Sequence, residues 1–468
     1  MPYNVRIVST YPPRVCGIGT FSRHLANALA NFTGEVGNVR IAAIDKEGLI
    51  YNIPADLIID QYDPQSWRSV ADTIASRARE SANPTVVLLQ HEYGLDPAGP
   101  GKDGEGKNFI EMAKTLQAAG LVTMAYLHTV LDHPDQHQRT VLQELAQNTD
   151  AVLVPTRSAV DILESEVYGI DRTKIKHIDH GIRMQNPSHY DRLTIKQQLH
   201  LENKFLVTTL GLHSPDKGIR YGIRAYGRFI NESLTENQRS QIVYLIAGQC
   251  HPEFVQAEGG KPHEQYKTDI DNALAQANVR WCRLKELPPD KLNSCDVVLW
   301  ETFLDENILM KLYGATNAMV LPYLNTEQIS SGILADTVGS GRVAVATKFR
   351  YAVELLDPDN TGQKGIIIGS HARGILVDPG EDSVEQIAQA MDYLVFNRAK
   401  RLAMEKRAHR RGYQMKWDNT AWAILQYLEF VKEQHDIVTG RGHEFTRQKK
   451  SVFEQRSQEL LSKRKTHK

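Results

Sequence analysis

The chain has 468 residues, a formal net charge of -1 and 24% charged residues. That length accommodates two domains with separate cores, and the balanced charge excludes a global pull toward nucleic acid or an anionic membrane. No apolar run approaches the roughly eighteen residues of a membrane span, and Met1-Pro2-Tyr3-Asn4-Val5 enters a strand without the apolar core of a signal peptide.

The first half alternates β-branched runs with stretches of helical spacing. Val5–Val8 is a strand and Phe21–Ala30 a helix. Arg40–Ile44 is a strand, Trp67–Ala78 a helix, and Thr85–Leu89, Leu121–Leu127 and Ala151–Val154 are further strands. The strands are continuously apolar, which marks a parallel sheet covered on both faces. Helical crossovers between them give a doubly wound α/β domain. The pattern stops near Lys176–Ile182, and the polar stretch Arg183–Asn203 reads as a linker.

Alternation restarts with Phe205–Leu210. Gln241–Gly248, Val297–Leu299, Ala318–Pro322, Val343–Thr347 and Gly374–Val377 follow, then helices over Ser383–Phe396 and Arg398–Arg410. The expected fold is α/β, with two Rossmann-like doubly wound domains facing across a cleft. The first domain covers 1–185 and the second 190–415. A basic tail covers 437–468, and its part from Arg441 carries nine basic residues against three acidic. The tail reads as a solvated helix or as a weak membrane-surface contact. Cys16, Cys250, Cys282 and Cys295 show no CxxC spacing, so the expectation is a reduced, cytoplasmic protein with small buried thiols.

Glycine-rich turns open both halves. Gly17 and Gly19 stand where the first strand gives way to a helix, and glycine there lets a phosphate approach free N–H groups at the helix start. The dinucleotide fingerprint is absent, so the turn does not argue for NAD and fits a plain tight turn equally. In Gly211–Gly218, the turn Ser214-Pro215-Asp216 sets Lys217 on the first turn of a helix, where charge and dipole would meet a diphosphate together. The pattern GxxxxGK[ST] is missing, so ATPase or kinase chemistry has no support. The loop Asn325–Asp336 is dense in polar and small groups, and Ser330, Ser331 and Gly332 stand at a helix start that suits phosphate or sugar oxygens. His91, Glu92 and His128 end neighbouring strands, where open α/β sheets bind ligands. No histidine pair at metal spacing has a third ligand, so no metal site is expected.

These pieces, in this order, resemble the retaining glycosyltransferases of family 4, which have the two-Rossmann GT-B fold. The resemblance spans most of residues 1–430. It rests on Gly17-Ile18-Gly19, Leu127-His128-Thr129, Val154–Ser158, His180-Gly181-Ile182, Gly211–Gly218, Pro322–Thr347 and Lys416-Trp417-Asp418. It implies that the first domain holds the acceptor and the second a nucleotide-sugar donor. It also implies that a helix over about 416–436 crosses back to complete the first domain. By resemblance, Lys217 meets the donor diphosphate, Gly19 approaches the phosphate and His128 lies near the transferred sugar. His91, Glu92 and Glu327 line the sugar or acceptor, and Gly17, Gln328, Ser330, Ser331, Gly332 and Asp336 bind the donor.

There are two departures. Leu212 stands where many relatives have arginine, and Gln328 and Asp336 replace two glutamates. Glu327 is placed to substitute for the first, and a subset of the family shares this loop.

The expected activity is transfer of a hexose from a UDP- or GDP-sugar to a carbohydrate hydroxyl with retention. It needs no cofactor, metal or nucleic acid. A phosphorylase of the same fold and a non-catalytic sugar or nucleotide sensor are the alternatives.

Overall fold

The computed structural model describes residues 2–97, 106–183, 191–286, 291–359 and 362–439. Among these residues the chain divides into two units. The first runs to Pro155, continues through Ala159–Asp179 and includes the helix Trp417–Val438. The second comprises Thr156–Ser158 and His180–Lys416. The start of the expected tail is the end of that helix, and the rest of it, from 440 on, lies outside the described residues.

The first unit holds strands β1 (Tyr3–Ser9), β2 (Val36–Asp45), β3 (Ala55–Asp60), β4 (Thr85–His91), β5 (Val122–Leu127), β6 (Ala151–Val154) and β7 (Ile175–His177). The second holds β8 (Phe205–Leu210), β9 (Ile242–Ala247), β10 (Trp281–Leu284), β11 (Val297–Trp300), β12 (Ala318–Leu321), β13 (Val343–Thr347) and β14 (Ile375–Val377). The sheets run β3-β2-β1-β4-β5-β6-β7 and β10-β11-β9-β8-β12-β13-β14. Every pairing is parallel. Both are doubly wound, and the winding reverses at β1/β4 and at β8/β12. At such switch points the loops at the carboxyl ends diverge and leave a crevice.

The period-2 geometry of a strand explains why the central runs are apolar throughout. In β9, Val243, Leu245 and Ala247 join one core cluster, while Ile242, Tyr244 and Ile246 join the cluster on the other face. Helices cover both faces, so no position of β9 meets water. In the first unit, Ala421, Leu425 and Leu428 of the Trp417–Val438 helix pack into the core with Phe21, Leu25 and Tyr126.

Three differences from the sequence reading have physical causes. The polar run over 183–203 contains a helix, Arg192–Gln198, capped by Asp191, and its Ile195 is buried together with Leu201. Lys196 on this helix is buried too. Its ammonium donates to Lys204 O and Asn317 Oδ1, each at 2.5 Å, so a polar residue does not mark an exposed one here. Strands β3 and β10 are sheet edges with mixed exposure. They lack the continuous apolar run that reveals central strands. Among the described residues no helix is long and apolar enough to cross a membrane.

Candidate functional site

In the second unit, three loops meet at the carboxyl ends of β9, β8 and β12. The loop after β8 is pinned to the loop after β9. His213 N–H donates to Gln249 O at 2.8 Å, and His251 N–H to His213 O at 3.0 Å. Gly248 (φ +144°) makes this possible, since a Cβ there would lie 1.8 Å from Gly211 O. On the other side, Leu324 N–H donates to Asp216 O at 2.8 Å. Gly211 comes so close to Ile333 that a Cβ on it would lie 3.1 Å from Ile333 Cδ1. Lys217, Tyr323 and the start of the Gly332–Gly339 helix are thereby gathered at the switch point.

Lys217 does not sit in the first turn of a helix, as the sequence suggested. Pro215–Lys217 forms a 3-10 turn, Gly218 is left-handed (φ +59°), and the helix begins at Ile219. The turn closes because Lys217 N–H reaches Ser214 O and Gly218 N–H reaches Pro215 O, each at 3.0 Å. The lysine therefore stands one residue before the cap. Its ammonium rests over the Tyr323 ring, 3.9 Å from the centroid. Among the described residues no carboxylate pairs with it. Tyr323, missed in the sequence, thus shelves the Lys217 ammonium; its only signal was its place directly after Pro322 at a strand end.

The Gly332–Gly339 helix starts as expected. Ser331 Oγ accepts from Leu334 N–H at 3.3 Å. The N–H groups of Gly332 and Ile333 have no acceptor among the described residues and carry the partial positive charge of a helix start. Gly332 is exposed. Ser330 O and Gln328 are engaged with each other, Gln328 Nε2 donating to Ser330 O at 2.5 Å. Glu327 N–H bonds Asn325 Oδ1 at 3.0 Å, which leaves the Glu327 carboxylate outside the turn's own bonds.

Asp336, expected to bind the donor, is held by another partner. It is buried, and its carboxylate faces Arg183 rather than an open ligand position. Arg183 Nη2 donates to Asp336 Oδ2 at 2.5 Å and Arg183 N–H to Oδ1 at 3.2 Å. Glu306 pairs with the same guanidinium at 3.0 Å. The sequence reading missed Arg183, and a sequence separation of 153 hides such a pair.

In the first unit, the Gly17–Ala30 helix begins at Gly17 behind Cys16, which makes no side-chain cap bond. The N–H groups of Gly17, Ile18 and Gly19 have no acceptor among the described residues. Gly19 makes a close approach, since a Cβ there would lie 3.3 Å from Tyr11 N. His128 is 8% exposed, packs against Phe21 and Tyr126, and donates from Nε2 to Gln90 Oε1 at 2.8 Å. That bond fixes the ring. Glu92 caps its own turn at Tyr93 N–H (3.0 Å) and accepts from Thr129 Oγ1 at 2.7 Å. Burial raises its pKa, and the Thr129 and Tyr93 bonds oppose the rise.

His91 does not line a surface. It is fully buried, with its ring against Tyr93 and Phe109, because the last position of β4 points into the helix layer rather than the crevice. Burial lowers the His91 pKa to about 4. Burial does the same for His213, again to about 4, with Lys217 adding to the drop and an Ala247 backbone bond opposing it. A histidine near 6.5 unfolded and about 4 folded contributes stability that is full above pH 6.5 and is lost as the pH falls toward 4. Urea unfolding of His91→Phe should therefore lose about 2 kcal/mol less stability between pH 7.5 and pH 5 than the wild type. An identical acid slope in the two proteins would exclude a buried neutral His91.

No family model matches the chain, and no curated protein matches it. Solved structures do. HepE from Anabaena in complex with UDP is similar at 14% identity and TM-score 0.62, over 92% of this chain and 100% of that one. The fold is GT-B. An alpha,alpha-trehalose-phosphate synthase (UDP-forming) from Burkholderia vietnamiensis matches at 12% identity and TM-score 0.63, over 92% of this chain and 97% of that one. A second such synthase, from Burkholderia xenovorans in complex with glucose-6-phosphate, matches at 13% identity and TM-score 0.62, over 92% and 100%. At these identities the likeness carries the architecture, two Rossmann-like domains, and leaves the chemistry to the residues above.

Proposed function

We propose that the chain is a glycosyltransferase that moves a hexose from a nucleotide diphosphate sugar to a carbohydrate hydroxyl. The observation that carries this reading is the pairing, at the β8/β12 switch point, of an ammonium and a helix start whose N–H groups lack, among the described residues, a carboxylate partner and an acceptor respectively. A diphosphate leaving the anomeric carbon develops negative charge, and fixed donors aimed at it lower the barrier. UDP is favoured over GDP because HepE is named with UDP and the synthases are named UDP-forming. Membership of family 4, retention of configuration and a role for His128 beside the sugar rest on the sequence resemblance.

The groups proposed to meet the diphosphate are parts of the fold, so no divalent ion is needed to neutralise it. Melting temperatures with UDP, GDP, ADP and inorganic phosphate test the donor, since a ligand of the native state raises them. UDP is expected to give the largest rise. Proton NMR of product formed in EDTA from UDP-glucose should show turnover with the anomeric configuration of the donor kept. Turnover restored only by magnesium or manganese would overturn the assignment of Lys217, and an inverted product would overturn the family placement.

One observation favours a second reading, a nucleotide sensor without turnover. Asp336 is bound by Arg183 and Gln328 is folded onto Ser330, so both positions that replace glutamates are occupied. Protection by UDP without any product from a panel of sugar acceptors would decide for the sensor.

A further inference from the structure

The first unit contains a second polar cavity, toward the amino ends of its strands and so at the opposite edge of the sheet from the loops described above. Strands β1 and β2 pair in parallel with Asn4 beside Asn38 and Arg6 beside Arg40. Asn38 Nδ2 donates to Asn4 Oδ1 at 2.7 Å, which puts the two asparagines on one face. Two residues further along each strand, Arg6 and Arg40 share that face. Like charges directly opposite on neighbouring strands are destabilising, and here a third cation joins them. Arg77, from the Pro64–Glu80 helix that covers this face, reaches Asp56 Oδ2 at 2.9 Å. Asp56 also takes the Arg6 fork.

Among the described residues, one carboxylate that bonds two guanidinium groups and a third guanidinium beside them line a cavity of about 210 Å³. Arg6 is 8% exposed, so its charge is poorly screened by water. Arg40 donates only to its neighbour's carbonyl, Val39 O at 3.1 Å, among the described residues. Two positive charges are left uncompensated around a space that several waters of ~30 Å³ each would fill. Arginine forks match tetrahedral oxyanions two oxygens at a time.

We propose that this cavity is a binding site for a phosphoryl group, held by Arg6, Arg40 and Arg77 with Asn38 at its rim. A phosphate near its dianion carries the charge the site lacks. The chemistry is shared by free phosphate and by the monoester of a sugar.

The test is a titration of the full chain with inorganic phosphate, followed by melting temperature, at ionic strength matched with chloride. Lys217→Ala serves as the background, so that phosphate at the proposed donor site is not read. Phosphate should raise the melting temperature of this background, and Arg40→Gln or Arg77→Gln in it should raise the half-saturating phosphate about tenfold or more. Arg40→Gln removes a like charge opposite Arg6 and costs one main-chain bond, so it should fold, and Arg77→Gln changes a half-exposed helix residue. A parallel titration with a hexose monophosphate identifies the source. Half-saturation below that of inorganic phosphate assigns the site to an ester, and above it to the free ion. No protection in the Lys217→Ala background, equal protection by chloride, or unaltered titration of both glutamine variants would each overturn the site. Because the background lacks Lys217, these outcomes stand whether or not the glycosyltransferase reading holds.

Discussion

Lys217→Ala should abolish most turnover while leaving the fold intact. The ammonium makes one contact of note, with the face of Tyr323, and an exposed cation–π contact is worth about 0.5–1 kcal/mol. The melting temperature without ligand should therefore fall by no more than a few degrees. Removing a charge-assisted donor from a departing diphosphate is a larger effect. It should cost about 2–4 kcal/mol of transition-state stabilisation, which is roughly 30- to 1,000-fold in kcat/KM for the donor. No described neighbour can replace it, because Leu212 stands where a second cation would be and His213 is buried and neutral at pH 7. Initial rates over a donor concentration series, with circular dichroism of the same preparations, make the comparison. Turnover within a fewfold of wild type would place the diphosphate elsewhere.

The parts legible in the sequence are those where one residue's surroundings repeat along the chain. Central strands such as β1, β5 and β9 announce themselves because helices cover both faces. The edge strand Ala55–Asp60 does not, since the face carrying Asp56, Ile58 and Asp60 is polar or exposed and breaks the apolar run. Loops at strand ends were legible for the same local reason, which is why the turn holding Lys217 follows β8 and the helix start at Ser331 follows β12. What stayed hidden depends on contacts remote in sequence. Nothing near Asp336 foretells Arg183, and nothing near His91 foretells that Phe109 of the Lys107–Ala118 helix closes over its ring. The resemblance assigned Asp336 a ligand role that its salt bridge already occupies. A motif transfers a residue type, and the chain's own packing decides what that side chain is free to do.

Gly218→Ala should be among the most damaging single-methyl changes in the second unit. Gly218 stands between Lys217 and the Ile219–Ser233 helix with φ +59°, a left-handed conformation that costs an alanine about 1–2 kcal/mol. The added Cβ would also lie 2.0 Å from Pro322 O and 3.0 Å from its carbonyl carbon. Those are main-chain atoms at the end of β12, held in place by the sheet, so the loop must move instead. Overpacking of this kind adds about 1–3 kcal/mol. Together the loss is about 3 kcal/mol, or roughly 6–12 °C of melting temperature for a unit of this size. The displacement has a second consequence, because it pulls the two site loops apart at their point of contact. Lys217 would leave the Tyr323 ring. The variant should therefore lose protection by UDP even at temperatures where circular dichroism shows it folded, whereas a purely structural glycine would lose stability alone. Melting curves with and without UDP separate the two. A variant that melts within a degree of wild type would show that the loop tolerates the methyl. A variant that is destabilised yet binds UDP as tightly as before would show that the nucleotide does not sit where the β8 and β12 loops meet.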